Sequence, residues 1–217
     1  MKSNAFVERE ISRLKEQLLL IGGQVEDAFK RAVNAIDELD ADAARRIIDQ
    51  DEEIDYAEVA LEEECLRLLA LHQPVAGDLR FIVTVLKVNN DLERIADLVV
   101  NLAENAIFLS KQPRQTYPFD FDEMVLLTRN MLKDALDALV GMSTSKARAV
   151  CQSDDAVDDL NRRMYEVVKQ EIQRHPTAVS PLINHMNISR CFERIADLST
   201  NIAEDVIYLV NGEIVRH

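Results

Sequence analysis

The sequence predicts an all-α protein: two tandem antiparallel three-helix bundles related by an internal duplication. Three observations predict it. Gly and Pro number five each in 217 residues and gather at 74–77, 113–118, 141, 176–181 and 212, leaving long stretches without a helix breaker. Trp is absent and aromatic residues make up 5%, too few for the turn-rich, aromatic strands of a β sandwich or barrel. Finally, the chain resembles itself at an offset near 100 residues.

The first helix is expected over about 6–39, where Leu14, Leu18, Ile21, Val25, Ala28, Ala32, Ala35 and Leu39 recur at spacings of three and four. Gly22-Gly23 is expected to kink or thin it. Asp40 and Asp42 are suited to cap the second helix, which places Ile47, Ile54, Leu61, Leu68 and Leu71 on one stripe before Pro74 stops it. A third runs from about 78 to 109, and 113–118 reads as a linker. The second set covers 119–140, 144–174 and 180–210, with Gly212 placed to end the last helix in a left-handed cap.

The self-similarity is dense. At an offset of 100 between 82–109 and 182–209, eleven positions are identical, among them Glu93/Glu193, Arg94/Arg194, Asp97/Asp197 and Asn101/Asn201. At an offset of 103, Ala44, Arg45, Asp51 and Asp55 face Ala147, Arg148, Asp154 and Asp158. The units are therefore 1–112 and 119–217. Helices of roughly 25 to 30 residues, about 40 to 45 Å long, fold back on themselves through short connections.

Composition excludes several functions. With 39 Asp and Glu against 25 Lys and Arg, the formal charge is -14, which repels nucleic acid phosphates and anionic headgroups. No nucleic acid partner is expected. The three cysteines are far apart and form no CxxC pair, which fits a reducing cytoplasm, and their apolar settings predict inert buried thiols. Neither a signal peptide nor a membrane span is expected, since charges interrupt the apolar run near residue 20 and no 18 consecutive residues are apolar. His72, His175, His185 and His217 are solitary, and none follows a Glu at three residues, so the ExxH pattern of di-iron bundles is missing. Phosphate loops, nucleophile elbows and HExxH are absent too, and no enzyme is expected.

The residues with chemical potential are acidic. Glu93, Asp97 and Asn101 share one helix face at i, i+4 and i+8, while Asp51, Asp55, Glu58 and Glu62 form a stripe on the preceding helix. Stripes of like charge meeting across a bundle need protonation, basic partners or a cation, and hard cations take oxygen ligands. The expected metal ligands are Asp51, Asp55, Glu93 and Asp97 in the first unit, with Asp154, Asp158, Glu193 and Asp197 in the second. Mg²⁺, Mn²⁺ or Ca²⁺ suits them, with Zn²⁺ or Fe as further candidates; no organic cofactor is expected. The alternative is that these acids are solvated helix faces. Asn161, Tyr165 and Arg190 replace Glu58, Glu62 and Asn90 in the second unit, so tighter cation binding is expected in the first. Arg94 and Arg194 are expected to pair with acids of a neighbouring helix or to face a partner.

The segments QPVAGDLR at 73–80, DEEID at 51–55, DLERIADLVVNLAE at 91–104 and FERIADLSTNIAEDVIYLVNGEIVRH at 192–217 resemble the PhoU family of phosphate-uptake regulators, and the likeness runs nearly the whole chain. The resemblance implies two three-helix bundles, cytoplasmic location, a homodimer, and metal held by paired acidic motifs at Asp51-Asp55, Glu93-Asp97, Asp154-Asp158 and Glu193-Asp197. It further implies an adaptor between the ATPase subunit of the phosphate ABC transporter and a sensor histidine kinase, repressing the phosphate-starvation response and phosphate uptake. Membrane association would come only through those partners. An alternative of another class is a carboxylate-metal protein with hydrolytic or iron-handling activity, which would need an open coordination position and a nearby base.

Overall fold

A computed structural model describes residues 2–74, 76–113 and 117–212. Six helices follow one another: α1 (Lys2–Glu38), α2 (Ala41–His72), α3 (Ala76–Ser110), α4 (Asp122–Gly141), α5 (Thr144–Arg174) and α6 (Val179–Asn211). No strand occurs among the described residues. Of the expected linker, residues 114–116 lie outside the described residues, as do 213–217 with His217.

The ends are set by local chemistry. Asp40 caps α2, its Oδ1 accepting from the backbone N–H of Asp42 and Ala43 at 2.9 Å each. Asp42 stands in the first turn rather than at the cap. Ser143 caps α5 through the N–H of Lys146, and Gly212, at φ 73°, closes α6 in the left-handed region. The side chain of Lys15 on α1 donates to the carbonyl of Val140 at 2.8 Å, serving one of the orphan acceptors at the C-terminal end of α4.

α1, α2 and α3 pack on one another, as do α4, α5 and α6, and the two sets join where α3 lies against α6 and α1 against α4. Lys87, in the first half of α3, reaches Asp205 near the end of α6, so these two related helices run antiparallel. The core does not stop at the boundary between repeats. One continuous cluster runs from Leu14 and Leu61 in the first to Leu136 and Ile207 in the second. Phe29 of α1 meets Phe192 of α6 edge to face, centroids 5.9 Å apart. Ile47, Ile54, Leu61 and Leu68 are buried as expected, whereas Leu71 is 65% exposed because α2 ends one residue later, at His72.

α1 runs unbroken through Gly22-Gly23. The pair thins the helix: a Cβ on Gly22 would stand 2.9 Å from Cδ2 of Leu136, so the missing side chain lets α4 approach. Gly23 meets nothing within 4 Å. Gly22→Val is therefore expected to lower stability by about 1 to 3 kcal/mol through overpacking. Gly23→Ala is expected to raise it by about 0.5 to 1 kcal/mol; thermal denaturation of the two variants checks both signs.

A satellite cluster of Met164, Val168, Ala178 and Leu182 seals the end of the second bundle under Tyr117, Phe119 and Phe121. His185 sits among these rings, its centroid 5.2 Å from Tyr117 and 5.3 Å from Phe119, with Nδ1 2.7 Å from the Pro181 carbonyl. Burial pushes the His185 imidazole below its usual pKa, outweighing that hydrogen bond. The neutral ring is the folded form, so its contribution is fully present above the unfolded-state value near 6.5 and is lost as pH falls below that value and through the lowered folded one. The stability difference between the wild type and His185→Phe, read from urea midpoints at pH 7.5 and pH 5, should shift in favour of the variant at the lower pH.

Candidate carboxylate clefts

α3 is apolar almost all round. Between Phe81 and Leu109 its fully exposed residues are Lys87, Asn90, Arg94, Asp97, Asn101 and Glu104, a single stripe at alternating spacings of three and four. Asp97 lies on that stripe and Glu93 at its edge. The same pattern recurs on α6, where Asp197 is exposed and Glu193 half-buried. α2 and α5 present their acids to these edges: Asp51, Asp154 and Asp158 are half-buried and Asp55 is exposed.

The eight predicted residues therefore gather into two clefts, one per repeat. In the first, Asp51 is pushed up to about 6, chiefly by burial and then by the charges of Asp55, Asp97 and Glu93. Glu93 is raised by burial and by Asp97, Glu58 and Asp55, a cross-helix influence that places α2 and α3 acids together. In the second, burial, Asp197, Asp158 and Asp154 raise Glu193, and burial with Asp158 raises Asp197. Among the described residues no Lys or Arg lies within 4 Å of a carboxylate oxygen of Asp51, Asp55, Glu93, Asp97, Asp158, Glu193 or Asp197. The chain supplies these seven groups with no contact ion pair.

The two clefts differ, and not as the ligand count suggests. Among the described residues, one group of three carboxylates brings one oxygen from each within 4.8 Å of the others: Asp158, Glu193 and Asp197, in the second repeat. Hard cations hold oxygens at about 2.0 to 2.6 Å, so ligands on opposite sides of one ion are about 4 to 5 Å apart. The donor set, all oxygen and net negative, suits such an ion. In the first repeat, Glu58 is engaged elsewhere: its Oε1 accepts from Asn89 Nδ2 at 2.9 Å, and its carbonyl accepts from the same amide at 3.0 Å. Its counterpart Asn161 makes the matching contact, accepting from Ser189 Oγ at 2.8 Å. Glu58 and Asn161 thus fasten α2 to α3 and α5 to α6. Arg190 lowers Glu193 only in part, leaving it raised overall. Arg94 pairs with Asp91 of its own helix at 3.8 Å, not with a neighbouring helix as expected.

A third acidic group was not singled out from the sequence. Asp91 and Asp205 are buried where α3 crosses α6, and Lys87 bridges to Asp205 at 2.6 Å. Asp91 is pushed up to about 6 by burial and by Asp205, against Arg94 and Lys87. The signal was present: at the offset of 100, Lys87 and Asp205 face Asn187 and Asn105. The cysteines are buried as expected, with burial pushing Cys65 up to about 12 and Cys191 to about 11, far from a nucleophilic range.

Duplicated antiparallel three-helix bundles with an acidic cleft on each define a class of tandem-repeat helical proteins. Residues 18–106 and 121–206 each match the PhoU domain. A curated relative from Aquifex aeolicus, a phosphate-specific transport system accessory protein PhoU homolog, is 34% identical over 209 residues, 96% of this chain and 95% of its own length. The crystal structure of PhoU from Pseudomonas aeruginosa superposes with a TM-score of 0.90 at 34% identity, covering 95% of this chain and 99% of that one. The phosphate transport system regulatory protein PhoU from Streptococcus pneumoniae gives 0.87 at 29%, covering 97% and 100%. The chain belongs to the PhoU family. Among the described residues, no helix is long and apolar enough to cross a membrane.

If a hard cation bridges the second cleft, Mn²⁺ or Mg²⁺ at a hundredfold excess over Kd should raise the Tm of chelator-treated protein by about 5 to 10 °C. Asp158→Asn with Asp197→Asn should abolish that rise, and Asp55→Asn with Asp97→Asn should reduce it less. Calorimetric melts of the two double variants decide, and equal losses would remove the difference between the clefts.

Proposed function

We propose that this protein is a regulatory accessory of phosphate transport. It acts as a cytoplasmic adaptor that binds the ATPase subunit of the phosphate ABC transporter and a sensor histidine kinase. When phosphate is plentiful it holds the kinase silent and restrains phosphate uptake. The observation that carries this reading is the end-to-end likeness to proteins named for that system, at 0.90 over 95% of this chain and 99% of a Pseudomonas aeruginosa PhoU. Because the likeness includes both repeats, it concerns a whole architecture and not a module shared among unrelated proteins.

The physical properties support an adaptor. Helices of 31 to 37 residues with a common core offer long, stiff, differently charged faces. An excess of 14 negative charges favours partners with basic surfaces. In this reading the two clefts hold divalent or iron-type cations that brace α2 on α3 and α5 on α6, or that bring the protein to a membrane-proximal surface. A homodimer, and membrane contact only through partners, complete the proposal.

Co-purification from cells grown in high and low phosphate tests it. The tagged protein should bring down the transporter ATPase and the histidine kinase in amounts that change with phosphate supply. Recovery of neither under both conditions would overturn the adaptor assignment.

A further inference from the structure

α2 carries an apolar stripe on the face turned away from the core. Tyr56, Val59 and Leu66 are 68%, 50% and 51% exposed. With Ala70 they stand at i, i+3, i+10 and i+14, one side of a helix over about 20 Å. Glu52 and Glu63 lie on the same line, and Glu53 and Glu62 flank it, all exposed. From Ile47 to Leu66 the chain holds three Asp and six Glu with no Lys, Arg or His; Arg67 follows, but its guanidinium is held by Glu64 and Glu10, leaving Glu52, Glu53, Glu62 and Glu63 without a basic partner on this helix.

The duplication supplies an internal control. At the offset of 103, Tyr56, Val59, Leu66 and Ala70 correspond to Asp159, Arg162, Lys169 and Gln173 on α5. There Arg162 pairs with Asp159 at 2.9 Å and Lys169 with Glu166 at 3.6 Å, both at i, i+3. Where this helix faces only water it is polar and neutralises itself. The outer stripe of α2 is apolar at these positions, and the one i, i+3 pair beside it, Glu64 with Arg67, leaves Glu52, Glu53, Glu62 and Glu63 unneutralised, although the fold and position are the same.

What could cover it is restricted by charge. A second copy docked on the same stripe would set carboxylates against carboxylates, and an anionic bilayer would be repelled likewise. A helix with an apolar stripe between Lys or Arg residues satisfies both features at once. We propose that the outer face of α2 is a docking surface for a basic amphipathic helix of a partner protein, seated on Tyr56, Val59 and Leu66, with its cations meeting Glu52, Glu53, Glu62 and Glu63. The surface includes none of the eight proposed cation ligands, although Glu62 also borders the first cleft, and it does not depend on the phosphate assignment.

The test uses the full chain and a fluorescent synthetic peptide of about 18 residues, Leu and Lys only, with its leucines at helical spacing. A scrambled peptide of identical composition is the comparison. Fluorescence anisotropy should show saturable binding of the patterned peptide about tenfold or more tighter than the scrambled one. Val59→Ser with Leu66→Ser leaves the charge unchanged; it should abolish that preference without lowering Tm, because both side chains are exposed. Glu52→Gln with Glu63→Gln should weaken binding and flatten its salt dependence. Equal affinity for the two peptides, or no effect of the serine variant, would reduce the interaction to general attraction by an acidic protein and overturn the proposal. Sedimentation in which the serine variant dissociates a wild-type dimer would also overturn it, by showing that a second copy occupies the face.

Discussion

The structure depends on burying α3 against α6, two versions of one helix laid antiparallel. Each must pack against helices of its own repeat and against the other, which demands apolar residues on nearly every side. What remains is one narrow polar stripe per helix, at Lys87, Asn90, Arg94, Asp97, Asn101 and Glu104 on α3 and at the matching positions on α6. The acids of the clefts sit on or beside those stripes because the packing leaves polar groups nowhere else to go. Loss of solvent follows from that position, and together with the neighbouring acids it raises Asp51, Glu93, Glu193 and Asp197 from their ordinary values.

Comparing the halves shows which features the fold requires and which are optional. A polar contact between the second and third helices recurs with changed chemistry: Glu58 accepts from Asn89, Asn161 from Ser189. The geometry is kept while donor and acceptor types vary. Among the described residues, acids without a contact ion pair also recur in both halves: Asp51, Asp55, Glu93 and Asp97 in the first, and Asp158, Glu193 and Asp197 in the second. The apolar stripe of α2 and the Lys87–Asp205 bridge do not, so neither is needed to build a repeat.

Much of this was legible in the sequence. Helix positions followed from breakers and apolar spacing, and the ends fell within a few residues because Asp40, Ser143 and Gly212 act locally. The gathering of the eight acids was legible from i, i+4 spacing combined with the repeat. The closer gathering of oxygens in the second cleft was not, and counting Glu58 as a spare ligand ignores Asn89, a partner thirty-one residues away that only packing reveals. Self-similarity also could not say how the copies meet, so the continuous core from α1 to α6 was unforeseen. The docking stripe escaped notice because the periodic residues of α2 were followed along Ile47, Ile54 and Leu61, the face that is buried.

The single bridge between Lys87 and Asp205 has a consequence for how such a molecule can change over time. Two identical chains meeting across a twofold axis would carry any such contact twice, since every replacement appears on both sides. Here the mirror position holds Asn105 and Asn187. Fusing the copies into one polypeptide releases each side from its twin, so one cleft or outer face can drift toward a new task while the other preserves the original.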